Sequence, residues 1–157
     1  MKRIILITLI LMLTMSLSVY ALEIKGVTLP DSVEVSETLH LVGAGVRTKT
    51  FLHINIYIGA LYMVNPVKNA EKIIGARETK RMIMHFLYHE VGKEKIVKGW
   101  NVGFEANSRS SLETLQERIT TFNSYFDSDL KKGDEAILTY IPGKGTDVEI
   151  KGVLKGT

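Results

Sequence analysis

The sequence predicts an α+β domain in which a largely antiparallel β-sheet is backed by a layer of α-helices, an open-faced sandwich. Three observations carry this reading. Segments 37–47, 51–63 and 80–89 are rich in β-branched and aromatic residues and alternate with a period of two. Segments 92–106 and 112–126 switch to apolar spacings of three and four. The alternation then returns on both sides of Pro142-Gly143-Lys144-Gly145. Strands, helices and strands in blocks, without a regular βαβ rhythm, describe helices gathered on one face of an antiparallel sheet.

The chain has 157 residues, enough for one modest domain. It shows no internal repeat, no low-complexity tract and only three prolines, so no linker or second domain is expected. Lys2-Arg3 followed by the apolar run Ile4–Leu13, the more polar Thr14–Ser18 and Val19-Tyr20-Ala21 has the form of a secretory signal peptide cleaved after Ala21. The apolar core is short for a membrane span of about 20 residues. The expected domain is therefore residues 22–157 in the periplasm or outside the cell, with no stable span after cleavage. The formal charge of +3 falls to +1 once Lys2 and Arg3 are set aside. A nucleic-acid partner asks for a stronger basic bias. The absence of cysteine removes disulfides, thiolate metal sites and cysteine nucleophiles.

Within segment 51–63, Leu52, Ile54, Ile56, Ile58 and Ala60 form one apolar face. Phe51, His53, Asn55, Tyr57, Gly59, Leu61 and Met63 form a mixed face that meets water or a ligand. Thr48-Lys49-Thr50 separates this strand from the one before it. Asn65-Pro66 is expected to open a short helix that closes at Gly75, with Asn65 as its cap. Met82, Met84, Phe86 and Tyr88 share a face of the next strand. Ile96, Trp100 and Phe104 mark the first long helix, and Leu112, Leu115, Ile119, Phe122 and Phe126 the second. Ser110 and Glu113 are expected to form a capping box ahead of that run. Segments 135–141 and 146–154 read as a closing hairpin.

The candidate sites are few. Gly43-Ala44-Gly45 lacks the third glycine of a dinucleotide fingerprint and leads into a strand, so its glycines admit another backbone, side chain or ligand. His85 and His89 have helical metal spacing but fall in an alternating segment. There they stand roughly 13 Å apart, too far for two ligands at about 2 Å from one metal. No metal and no cofactor is expected, and no serine or carboxylate pair has a hydrolase context. Arg47 ends a strand of apolar and glycine residues beside a wall of aromatic and polar groups. A guanidinium there is suited to hold a carboxylate or phenolate, but on periodicity alone a strand-end arginine snorkelling into water is the favoured reading.

The run Val42-Gly43-Ala44-Gly45-Val46-Arg47, then Phe51 and Tyr57-Ile58-Gly59-Ala60-Leu61-Tyr62, resembles the chalcone isomerase superfamily, most closely its bacterial exported branch. Gly26-Val27 with Leu29-Pro30 is similar to the family's opening. The resemblance implies an antiparallel sheet backed by helices with a ligand cleft between them. It implies that Arg47 is the family's arginine, which in the plant enzymes stabilises a phenolate and developing enolate and in non-enzymatic members holds a fatty-acid carboxylate. Tyr57 matches the position of a threonine in the plant enzymes and of a tyrosine in the fatty-acid-binding members. The plant tyrosine and asparagine of the first long helix lack clear counterparts among Lys93, Glu94, Lys95 and Asn101. The family's further helix after the hairpin is not matched, so a more open cleft, or a longer natural chain, is expected. Three readings follow. One is a protein binding a small amphipathic anion, a fatty acid or phenolic compound, through Arg47, Tyr57, Asn55 and His53. The others are a chalcone-type isomerase with Arg47 catalytic, and a module for a protein partner.

Overall fold

The computed structural model describes residues 21–49 and 52–157. Residues 1–20, which hold all but the last residue of the expected signal peptide, and Thr50 and Phe51 lie outside them. Two short strands, β1 (Ala21–Ile24) and β2 (Val27–Pro30), form a hairpin. The main sheet contains β3 (Ser32–Glu34), β4 (Thr38–Lys49), β5 (Ile54–Met63), β6 (Lys80–Phe86), β9 (Glu135–Ile141), β10 (Gly145–Ile150) and β11 (Val153–Gly156). They lie in the order β11-β10-β9-β6-β5-β4-β3, and every neighbouring pair is antiparallel. Between β5 and β6 lies helix α1 (Ala70–Gly75). After β6 come β7 (Glu90–Val91), α2 (Lys93–Asn107), a 3-10 turn, α3 (Leu112–Ser124) and β8 (Leu130–Lys131), which pairs with β7. The expected fold class is the observed one.

Two covers lie on opposite faces and on opposite halves of the sheet. One core cluster joins Leu29 of the β1–β2 hairpin to Leu39, Ile58, Ala60 and Tyr62, so the hairpin covers one face of β4 and β5. The Tyr62 hydroxyl fastens it by donating to the Pro30 carbonyl at 3.1 Å. The other cluster joins Ile96 and Phe126 of the helix layer to Met84, Phe86, Ala136, Val148 and Ile150, so α2 and α3 cover the opposite face of β6, β9 and β10. Trp100 packs against Phe122 at 5.1 Å and Phe126 at 5.9 Å between ring centroids, filling the space beneath the helices.

Two bulges determine which side chains face which cover. Leu41 pairs with Tyr62 and Gly43 with Leu61, so Val42 is the extra residue on β4. Arg47 pairs with Tyr57 and Thr48 with Asn55, so Ile56 is extra on β5. A bulge turns consecutive side chains to the same side. Ile56 accordingly packs with Tyr57 against the helix-side cluster, whereas Ile58 and Ala60 face the hairpin. The expected five-residue apolar face is thus broken at Ile56, whose carbonyl accepts from the Leu87 and Tyr88 amides at 2.8 and 3.2 Å. The same contacts end β6 at Phe86, so Tyr88 leaves the alternation.

Four further expectations are corrected. Helix α1 begins at Ala70 and is capped by Asn69, whose side chain accepts from the Lys72 amide at 2.9 Å. Asn65 instead donates its side-chain amide to Glu78 at 2.7 Å. Ser110 and Glu113 form no capping box, because residues 109–111 tighten into a 3-10 turn and α3 starts at Leu112. Segment 146–154 is two strands: β10 ends at Ile150, and β11 returns along it. Finally, a five-residue repeat is present. Glu-Ile-Lys-Gly-Val occupies 23–27 and 149–153. Both copies form the same two-residue hairpin turn, with Lys25 at φ 52° and Gly26 at 77°, and Lys151 at 53° and Gly152 at 75°. Positive φ at both central positions matches the twist of the flanking strands, and glycine supplies the second without strain.

Candidate functional site

Because the covers occupy opposite halves, the helix-side positions Gly43, Gly45 and Arg47 of β4 are exposed among the described residues, while those of β5 are half-buried or buried. Across this face the register sets Arg47, Tyr57 and Phe86 in one row on three adjacent strands. The next row is Gly45, Gly59 and Met84, and the one beyond is Gly43, Leu61 and Met82. Directly opposed residues of an antiparallel pair hold their Cβ atoms about 5 Å apart, so Arg47 and Tyr57 stand side by side.

Arg47 is exposed and makes no hydrogen bond or ion pair with a described residue. Tyr57 is half-buried, its ring 5.5 Å from that of Phe86 at a 49° tilt, and its hydroxyl has no hydrogen-bond partner among the described residues. A Cβ placed on Gly59 would meet the Tyr57 ring and the Met82 sulfur at 3.7 Å, so the tyrosine leans along the strip. A Cβ on Gly43 or Gly45 would meet nothing within 4 Å, and neither residue has positive φ. The floor beside Arg47 is therefore open peptide surface with a fixed cation and a phenol at one end. Such a place can take a carboxylate or phenolate on a bidentate guanidinium, with a hydroxyl to donate a second bond.

The other two expected site residues are placed apart from this pair. Asn55 is half-buried and pairs with Thr48 beyond the Ile56 bulge, outside the row of Arg47. His53 is exposed in the β4–β5 turn at φ 51°. His85 donates through Nδ1 to the Glu135 carboxylate at 3.0 Å on the hairpin side of the sheet. Among the described residues, no three His, Asp or Glu side chains converge as a metal site.

A groove lies elsewhere among the described residues. It is an open groove of about 650 Å³ between α2 and the end of α3, with Val97, Val102 and Phe126 among Lys93, Lys98 and Asn101. Asn101 accepts from the Asn123 side-chain amide at 2.7 Å, and the Asn123 Oδ1 is buried without a partner. Sequence reading passed over Asn123, although an asparagine beside the apolar stripe of α3 was a visible signal. None of Arg47, Tyr57, Asn55 or His53 lines this groove. A volume alone marks no ligand chemistry, whereas the Arg47 strip sets a charge unpaired among the described residues beside exposed glycines.

The family model described as chalcone isomerase-like matches residues 21–157. No curated protein matches the chain. Among solved structures, a fatty-acid binding protein of Arabidopsis thaliana is similar with a TM-score of 0.66. The match covers 87% of this chain and 81% of that one at 18% identity, a likeness of fold. No helix among the described residues is long and apolar enough to cross a membrane. With its antiparallel sheet, its helix layer and Arg47 on the glycine strand β4, which runs on to Lys49 and not, as expected, only to Arg47, the chain belongs to the chalcone isomerase-like family.

Proposed function

We propose that the protein is exported and binds a small amphipathic anion, with Arg47 holding the anionic head and Tyr57 donating a hydrogen bond to it. The observation that carries this reading is an exposed arginine with no hydrogen-bond or ion-pair partner among the described residues, on a strand of exposed glycines and in register with a half-buried tyrosine. An arginine cannot shed its charge, so a weakly hydrated carboxylate or phenolate with an apolar body is its natural complement. The fatty-acid binding described for the similar plant structure supports the same ligand class. Export rests on Lys2-Arg3, the apolar run and Val19-Tyr20-Ala21. Cleavage after Ala21 removes only the outermost pair of the β1–β2 hairpin, Ala21 with Pro30, and keeps Leu22 with Leu29.

The test is to express the full chain in a bacterium, recover the protein from the periplasm and measure its intact mass. Its organic extract is then analysed by mass spectrometry beside Arg47→Ala. The expected result is an N-terminus at Leu22 and an organic anion carried by the wild type and lost from the variant. An equal yield from both proteins contradicts the site. If accelerated loss of chalcone absorbance depends on Arg47, the same residues serve an isomerase instead.

A further inference from the structure

Strand β4 runs from Thr38 to Lys49, but only its start has a neighbour on the outer side. There β3 pairs Ser32–Glu34 with Thr38–His40, and the Leu41 amide donates to the Asp31 carbonyl at 2.8 Å. From Val42 to Lys49, among the described residues, β4 makes no backbone hydrogen bond outside its ladder with β5. A sheet edge of this kind offers unpaired N–H and C=O groups to another strand, and proteins ordinarily blunt it with proline, charge or a bulge. The Val42 bulge and the cations Arg47 and Lys49 flank the edge, but Gly43-Ala44-Gly45-Val46 between them carries none of these devices. Gly43 and Gly45 are exposed, neither has positive φ, and a Cβ on either would meet nothing within 4 Å. No turn and no packed neighbour among the described residues accounts for them. Glycine in a strand also marks where another backbone approaches closely.

We propose that this edge pairs with the same edge of a second copy of the chain, antiparallel about a two-fold axis at Gly45. Charge and available room select that register. An axis at Arg47, Thr48 or Lys49 opposes two cations directly, which is destabilising. One at Val46 sets the two Arg47 residues on a diagonal about 7–8 Å apart. One at Ala44 or Gly43 drives the second strand into the place held by Asp31 and β3. About Gly45, Arg47 lies opposite Gly43 of the second copy, Ala44 opposite Val46, and Gly45 opposite itself. Lys49 then arrives where β3 begins, beside Asp31 of the second copy. Asp31 is exposed and has no ion pair among the described residues, so each cation meets a glycine or a carboxylate. Ala44 and Val46, half-buried against the hairpin-side cluster, extend that core across the axis. The facing glycine leaves Arg47 uncovered on the helix side, so the pairing stands whether or not an anion binds there. An interface this small belongs with weak, transient associations.

Sedimentation equilibrium of the purified wild type at low salt, from about 10 to 500 μM, is expected to show a monomer–dimer equilibrium. The register is read by cross-linking. The chain has no cysteine, so Gly45→Cys and Gly43→Cys each carry a single thiol. Directly opposed Cβ atoms about 5 Å apart come within disulfide reach after a small adjustment. Thiols at position 43 stand about 13 Å apart along the strands, so Gly45→Cys is expected to form a covalent dimer about tenfold faster or more under mild oxidation. Charge supplies an independent readout. Gly43→Glu is expected to tighten the dimer and Gly43→Lys to weaken it, each by about three- to tenfold, because the pair with Arg47 occurs twice. Melting temperatures check that the variants fold, and the wild-type measurement needs no variant. A wild type that stays monomeric at about 500 μM overturns the proposal. So does a dimer whose position-43 and position-45 thiols oxidise equally fast, or one that Gly43→Glu and Gly43→Lys affect alike.

Discussion

Gly45 shows how a single residue can be ill suited to the strand that holds it. Its φ is ordinary and its surroundings are empty, so Gly45→Ala should stabilise the fold. The expected gain is about 0.5–1 kcal/mol in urea unfolding, since alanine narrows the unfolded ensemble. Gly156 is the converse case. A Cβ there would collide with the hydroxyl end of the Tyr125 side chain, which would have to move. Gly156→Ala should destabilise by about 1–3 kcal/mol, read by the same unfolding curve. Tyr62 is held by burial, and by Glu135 and Asp31 nearby, with its phenol above the ordinary pKa. It therefore stays neutral and donates to Pro30 at any ordinary pH. Tyr62→Phe should cost about 0.5–1.5 kcal/mol for that bond, and a variant as stable as wild type would show that the hairpin is held by packing alone. At this scale alternation put Arg47 and Tyr57 on consecutive strands, and it took the register to set them side by side. The place of Asn55 was not readable, because the Ile56 bulge inserts a step that period-two counting cannot contain.

Among elements, β11 is the edge strand whose anchors are charged. Lys155 donates to Asp127 at 2.9 Å, and the Lys144 ammonium and Thr157 hydroxyl donate to Asp147 at 2.6 Å each. These bonds, with Lys155 the largest influence on Asp127 and Lys144 on Asp147, hold both carboxyls below the ordinary aspartate value. A depressed folded-state pKa means the unfolded chain takes up protons first as the medium is acidified. The stabilisation is present above the unfolded value of about 3.9 and fades as pH falls through the lower folded one. Amide exchange of β11 is expected to accelerate relative to β5 below about pH 4. Equal behaviour of the two strands would mean that backbone pairing with β10 suffices. Between α2 and α3, Asn101 and Asn123 form a pair whose loss should be non-additive. Asn101→Leu alone strands the buried Asn123 amide and should cost about 1–3 kcal/mol. The double leucine variant should recover much of that in a double-mutant cycle. Element types were legible because strand and helix periods differ so plainly along this chain. Helix starts were less so: Asn65 and Ser110 have the right chemistry for caps, but Glu78 claims the first and a 3-10 turn absorbs the second. The repeated Glu-Ile-Lys-Gly-Val was in plain view, and its Lys-Gly pair is a hairpin signal once positive φ at both positions is considered.

For the whole molecule, the decisive feature is the offset of the two covers. The hairpin roofs β4 and β5 on one face, and the helices roof β6, β9 and β10 on the other. The exposed part of the helix-side face is where Gly43, Gly45 and Arg47 of β4 lie. Sequence patterning yields two apolar faces for a strand but not which partner covers each, since that depends on contacts distant along the chain. The expected open face of β5 is instead half-buried or buried on the helix side, and the exposed positions stand on β4. The α2–α3 groove is the rival location for any ligand. Amide spectra of the nitrogen-15-labelled protein titrated with dodecanoate separate the two directly. Binding on the strip is expected to shift Gly43, Gly45, Gly59 and Arg47 in concert, leaving Asn101, Val102 and Asn123 still. Shifts confined to those three helix residues, with the glycines unmoved, would place the ligand between the helices and contradict the role assigned to Arg47.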